Sequence, residues 1–206
     1  MPFPAIWFLL VGAASGVLAA GSTFYSLGDV GAPHLFGRCL GLQVASNCNG
    51  IDGAFYLFPG LIFGIVFAGV QRWRGRFDGG VGSGFVIASL MANALAVFVC
   101  VALLDPLSSA IDIATFDLPV ALAGGIAGAV GGTVLAGAAS LFVPGTDPRP
   151  PIAVAAGLGL LVPLVTEWEA AVVFVFYTVW QAGFAAALGA NLPATPSLVQ
   201  GNAATA

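Results

Sequence analysis

The sequence predicts an all-α membrane protein, a bundle of six transmembrane helices with both termini in the cytoplasm. Of its 206 residues, 59% are hydrophobic and 7% are charged, whereas a soluble domain has about 25% charged residues. Apolar runs long enough to cross a hydrocarbon core of about 30 Å recur along the chain. Helices are the expected form of such runs, because they satisfy their own backbone hydrogen bonds. We expect one domain over residues 1–192.

The predicted spans are separated by polar or proline-containing connections. They cover about residues 4–25, 54–71, 81–104, 118–143, 152–166 and 168–190. A polar outer loop, residues 26–53, follows the first span. The small and polar residues of the tail, 193–206, predict disorder.

The first span has no charged residue between positions 4 and 25. About 22 helical residues at 1.5 Å each span about 33 Å, which is enough to cross a bilayer. We expect a mature helix, because the segment lacks a basic start and carries Pro2 and Pro4. A cleavable signal peptide is the alternative, since residues 19–21 are small like a cleavage site.

Orientation is predicted by the loop that follows the second span. Arg72, Arg74 and Arg76 lie there together with Trp73, and short cytoplasmic loops carry an excess of arginine and lysine. With six spans, this orientation also places both termini and the Arg149 turn inside. The predicted location is the plasma (inner) membrane of a bacterium.

Two cysteines of the outer loop, Cys39 and Cys48, form a candidate disulfide. The outer loop would face an oxidising compartment, where such bonds persist. The alternative is a soft metal site that adds His34, since imidazole and thiolate both bind metals. That site lacks an evident fourth ligand, so we expect a disulfide and no bound metal.

Proline-containing segments predict two helix ends. Asp105 and Pro106 are expected to close the third span. Asp117 is expected to cap the fourth span with its side chain, with Pro119 in the first turn, where proline has no hydrogen bond to lose.

The fifth span is predicted to be short. Residues 152–166 make about 22 Å of helix, which is less than the membrane core. In one interpretation Glu167 and Glu169 lie in a turn at the outer surface. In the other, Pro163 breaks the helix and the glutamates enter the first turns of the sixth span, where an ionisable group in the membrane is a candidate for function.

Asn93 in the third predicted span and Gln181 in the sixth are amide side chains far from the ends of their spans. An amide in lipid needs hydrogen-bonding partners. The two could bond to each other between the spans, or they could contact a solute in a central cavity. The candidate solute or ion pathway therefore comprises Glu167, Glu169, Asn93 and Gln181.

Glycines four residues apart predict close helix packing in two spans. They are Gly12 and Gly16 in the first span, and Gly124, Gly128 and Gly132 in the fourth. Small residues at this spacing share one face and let helix backbones approach. We expect the glycine-rich fourth helix at the centre of the bundle.

A weak internal similarity relates the first and fourth spans. Residues 12–21 and 128–137 are identical at five of ten positions, although glycine and alanine dominate both segments. A 3+3 inverted repeat is a common architecture of secondary transporters. The second spans of the two halves share little.

Several function classes are excluded or disfavoured by composition. The chain has no lysine, which excludes Schiff-base chemistry and a retinal-type chromophore. Its five arginines are too few to form a nucleic-acid surface, and it carries no recognisable catalytic or cofactor-binding motif. We therefore expect no enzyme activity and no cofactor.

Two functions remain as expectations. The preferred one is a transporter or channel for a small solute or ion, with its site near the short fifth span. The second is a non-catalytic structural or accessory subunit of a larger membrane complex. The expected partners are the lipid bilayer and either further copies of the chain or other membrane subunits.

Overall fold

The computed structural model describes residues 5–27, 53–111, 117–165 and 170–193, and the regular secondary structure of these residues is helical. The predicted all-α class is confirmed for these residues, among which no strand occurs. The elements are α1 (Ala5–Leu27), α2 (Gly53–Trp73), α3 (Gly79–Ala110), α4 (Leu118–Phe142), α5 (Arg149–Gly159), a 3-10 helix (Val162–Val165) and α6 (Ala170–Asn191).

Two of the described helices are long and apolar enough to cross a membrane. They are α3, with 32 residues, and α4, with 25 residues. These dimensions support a helical protein with two candidate membrane-spanning helices. The predicted bundle of six spans is not confirmed.

The helices form a closed ring in chain order. Each packs against the next helix in the chain, and α6 closes the ring through extensive packing against α1. The position of α4 is therefore between α3 and α5, not at the centre of the bundle as its glycine content predicts. Its glycines are buried against those two neighbours instead.

An aromatic cluster joins four of the helices. Phe63 and Phe67 of α2 stack with ring centroids 5.6 Å apart. Phe67 also stacks on Phe85 of α3 at 5.2 Å, and Phe63 meets Phe184 of α6 edge-on at 5.8 Å. Phe8 of α1 lies 6.1 Å from Phe67. All five side chains are buried, so this part of the interior is filled by hydrocarbon.

The predicted end of the third span is wrong, because α3 continues beyond Pro106 to Ala110. A proline removes its own N–H from the helical hydrogen bonds and crowds the carbonyl four residues earlier, but the helix can resume after it. Here the backbone N–H of Ile111 still donates to the Leu107 carbonyl at 3.0 Å. The proline therefore lies inside the last turns of the helix.

The fourth helix begins where the sequence predicts, at Leu118, and Pro119 lies in its first turn. The predicted side-chain cap is wrong, since the Asp117 carboxylate makes no capping hydrogen bond. Only the Asp117 carbonyl takes part, accepting from the N–H of Ala121 at 3.0 Å. Proline fixes the start of this helix without a side-chain cap.

The fifth helix is interrupted. Its regular part ends at Gly159, and a 3-10 helix that contains Pro163 follows. Glu167 and Glu169 come next and lie outside the described residues, as do His34, Cys39 and Cys48 of the predicted outer loop. The hypotheses built on these five side chains remain predictions.

Candidate functional site

The first and last helices meet through the glycines that the sequence singles out in α1. A methyl group at Gly12 would overlap the backbone carbonyl of Gln181. One at Gly16 would lie 2.5 Å from the carbonyl oxygen of Tyr177. Because the obstacle is backbone in both cases, only glycine allows α1 and α6 to approach this closely.

The same device joins α4 to α5. A methyl group at Gly124 would overlap the carbonyl of Gly159, and one at Gly128 would overlap the carbonyl of Ala155. At Gly132 it would lie 2.8 Å from the Ala155 Cβ. The three glycines predicted to pack thus share one face, and that face is covered by α5.

A third glycine contact, between α2 and α3, was missed by the sequence reasoning. A methyl group at Gly60 would lie 2.5 Å from the Ser89 carbonyl oxygen and 2.7 Å from the Asn93 Cβ. One at Gly64 would lie 2.9 Å from the Val86 Cα. The four-residue spacing of these glycines is the signal that would have found the contact.

The candidate site is a buried polar node where α6 meets α1 and α2. Gln181 is 1% exposed. Its Nε2 donates to the Pro59 carbonyl at 3.2 Å, and its Oε1 accepts from the Ser15 hydroxyl at 2.5 Å. The Ser15 oxygen also lies 2.9 Å from the Gly12 carbonyl oxygen, so one proton is shared between two acceptors.

Asn93 of α3 lies on a different side of α2 from Gln181. It is half-buried on α3, next to Gly60, whose carbonyl accepts a hydrogen bond from the Ser89 hydroxyl at 2.6 Å. The structure therefore does not form the predicted bond between Asn93 and Gln181. The Pro59–Gly60 backbone separates them, because its two carbonyls accept from α6 and from α3 respectively.

The chemistry available at the polar node is that of neutral hydrogen bonds. Its side chains are the Gln181 amide and the Ser15 hydroxyl. A second hydroxyl, that of Ser89 on α3, donates to the Gly60 carbonyl, which is the next carbonyl of α2 after that of Pro59. Among the described residues no group of three or more His, Cys, Asp or Glu could hold a metal ion. Glu167 and Glu169, the candidate residues for ion binding or proton relay, lie outside the described residues.

Packing does not follow the weak repeat between the first and fourth spans. The alignment equates Gly12 with Gly128 and Gly16 with Gly132. In a 3+3 repeat, α3 would correspond to α6. Since Gly12 and Gly16 contact α6, Gly128 and Gly132 should contact α3. They contact α5 instead, which weighs against the repeat. Comparison of the chain with protein-family models, curated proteins and solved structures gives no match.

Proposed function

We propose that this protein is an integral membrane protein in which six helical segments cross the bilayer. The apolar surface of α3 supports this: Ile87, Met91 and Phe98 are 63%, 56% and 65% exposed. Only 11% of its most apolar stretch is buried, whereas a helix that is apolar because it lies in a soluble core would be covered. Large exposed apolar patches are typical of surfaces that face lipid or another protein.

The lengths of the other helices are compatible with this placement. The 23, 21 and 22 residues of α1, α2 and α6 correspond to roughly 32–35 Å of helix. The fifth span would combine the 11 residues of α5 with the 3-10 helix after it. In the proposed orientation, the arginine loop between α2 and α3 is cytoplasmic.

Within the membrane, the chain acts as a non-catalytic structural or accessory subunit of a larger assembly. The hydrogen bonding of Gln181 carries this proposal. An amide that recognises a solute must be able to exchange its partners, but this one is shared between Ser15 and Pro59 and is 1% exposed. Phe63 and Phe184 fill the neighbouring space on α2 and α6.

The second candidate function is transport of a small solute or ion, and one observation favours it. The fifth helix stops at Gly159 and continues as a 3-10 helix through Pro163, just before Glu167 and Glu169 in the chain. Discontinuous helices beside ionisable groups are typical of substrate sites in secondary transporters. This function would place the pathway near α5 and not at Gln181.

Thiol labelling in membranes separates the two functions. Gln181→Cys is introduced into a variant whose native cysteines are replaced by alanine, and a charged, water-soluble thiol reagent is added. Asp147→Cys, in the exposed turn before α5, is the control and should react rapidly. The accessory-subunit function predicts little reaction at position 181, because this position is buried.

Labelling of position 181 at a rate close to that of the control would refute the packed interior and favour transport. The accessory-subunit function also predicts that the chain has a protein partner in the membrane. Native mass spectrometry after gentle solubilisation should show the chain in a stoichiometric complex, either with copies of itself or with another membrane protein. A monomer with labelling slowed by a solute would contradict the proposal.

A further inference from the structure

Gln71, in the last turn of α2, is a buried amide without a hydrogen-bonding partner in the described part of the chain. The residue is 0% exposed, and neither its Nε2 nor its Oε1 has a partner there. Gln181 is buried to the same degree, at 1% exposed, but its amide is bonded to Ser15 and to the Pro59 carbonyl. Buried polar groups are almost always bonded to protein or to ordered water, because an unpaired one has lost its hydration without compensation.

The backbone around Gln71 uses its own donors. The N–H groups of residues 74–77 all donate to carbonyls of residues 70–72, at 2.9–3.3 Å. Two of them, from Arg76 and Phe77, bond to the carbonyl of Gln71 itself. Gly75 allows the chain to turn back in this way, since its φ is 69°. These four donors are therefore engaged within the turn, and the Oε1 of Gln71 has to find its donor elsewhere.

The buried side chains nearest to this turn in the structure are aromatic. Phe67 lies one turn before Gln71 on the same face of α2, and Phe77 follows the turn. The rings of both pack against Phe85, with centroids 5.2 and 5.5 Å away, and all three are at most 3% exposed. Phenylalanine has neither a donor nor an acceptor for an amide. A partner for Gln71 must therefore be small and uncharged, and it must be able both to donate and to accept.

We propose that Gln71 binds a buried water molecule at this end of the bundle. The Oε1 and one of the Nε2 hydrogens point to the same side of the amide, so a single water can donate to the first and accept from the second. The second proton of the water can go to a carbonyl of the turn, because a carbonyl oxygen has two lone pairs. Buried waters typically make about three such bonds.

Bulk water lies close enough to fill this site. Arg72 and Trp73, the two residues after Gln71, are exposed. A water entering at the arginine loop would therefore have to pass only the end of α2. The site is independent of the proposed membrane placement, because it depends only on the burial and the unfilled hydrogen bonds of one amide.

The direct test is a crystal structure of the full-length protein at a resolution that shows individual ordered waters. We expect a density peak within about 3.2 Å of both Nε2 and Oε1 of Gln71. The Gln181 amide is the matched control, and we expect no water beside it because its partners are protein groups. A Gln71 amide with no water beside it, in a structure that shows waters elsewhere, would overturn the proposal. An amide turned to a protein partner or to bulk solvent would do the same.

Gln71→Met tests the same site by its energetics. Methionine is about as long as glutamine but lacks the amide, so the bonds to the water are lost. We expect the unfolding midpoint in detergent to fall by about 2–4 °C, the shift for loss of one hydrogen bond in a chain of about 200 residues. Gln181→Met, which loses bonds to Ser15 and Pro59, should also fall.

The direction of the shift is decisive because a dry site predicts the opposite. Replacing an amide that has no partner at all removes the penalty of its burial, so the midpoint should then rise. A Gln71→Met midpoint equal to or above that of the wild type would therefore contradict the bound water. If this variant does not fold, the density beside Gln71 in the wild type decides the question alone.

Discussion

The closest test of the packing is a pair of glycine-to-alanine substitutions in α4. At Gly128 the added methyl group meets the Ala155 carbonyl and lies 2.9 Å from its carbon atom. At Gly137, in the same helix, no atom lies within 4 Å of the added group. Both substitutions give the same gain in helix propensity, about 1 kcal/mol in water. The difference between the two variants therefore isolates the cost of the contact with α5.

That difference should be large because the obstacle is backbone. A side chain can rotate away, but the Ala155 carbonyl can move only if α4 and α5 separate. Overpacking of this kind costs about 1–3 kcal/mol. For a chain of about 200 residues, 1 kcal/mol shifts the unfolding midpoint by about 2–4 °C. Gly128→Ala should therefore unfold roughly 2–12 °C below Gly137→Ala.

The measurement is thermal unfolding of both purified variants in the same detergent, followed by circular dichroism at several scan rates. Equal midpoints, or a more stable Gly128→Ala variant, would show that α4 and α5 are not in backbone contact at this position. Loss of expression of Gly128→Ala alone would support the reasoning. Loss of both variants would place the defect in α4 itself and would contradict it.

Three further predictions concern the polar node and the arginine loop. Gln181→Leu should lower stability by about 1 kcal/mol, from two hydrogen bonds of about 0.6 kcal/mol each, and in a double-mutant cycle with Ser15→Ala the effects should not add. Gly75, in the loop after α2, has a φ of 69°, so Gly75→Ala should lower stability by about 1–2 kcal/mol. An unchanged unfolding midpoint would argue against the left-handed conformation at this position. Asp78 caps α3 by accepting a hydrogen bond from the N–H of Val81, so Asp78→Ala should lower stability by about 0.5–2 kcal/mol. Asp78→Asn, measured in the same unfolding assay, should lower it less.

The helices are the part of the fold that the sequence could predict. Long apolar runs and their breaks predict where helices form, and the start of α4 at Leu118 follows from Pro119. The end of α3 could not be predicted in the same way. Pro106 removes one donor, and whether a helix stops or continues there depends on what the following turn can bond to.

The sequence predicts which face of a helix packs closely much better than it predicts which other helix covers that face. The spacing of Gly12 and Gly16 predicts that one face of α1 packs closely, but it contains nothing about which helix covers that face. The need of Gln181 for a partner could be predicted from its amide. Its actual partners, Ser15 and the Pro59 carbonyl, depend on which helices are adjacent in the ring. Nothing in local periodicity encodes that adjacency.

Closure of the ring by α1 and α6 has a consequence for biosynthesis. The bond between Ser15 and Gln181 joins residues 166 positions apart. At about 5–20 residues per second, the ribosome needs roughly 8–33 s to make the intervening chain. For that time the first helix has been made while the glycine face that will receive the last helix is still uncovered. A chain truncated before α6 would keep this face open permanently, which would mark it for cellular quality control.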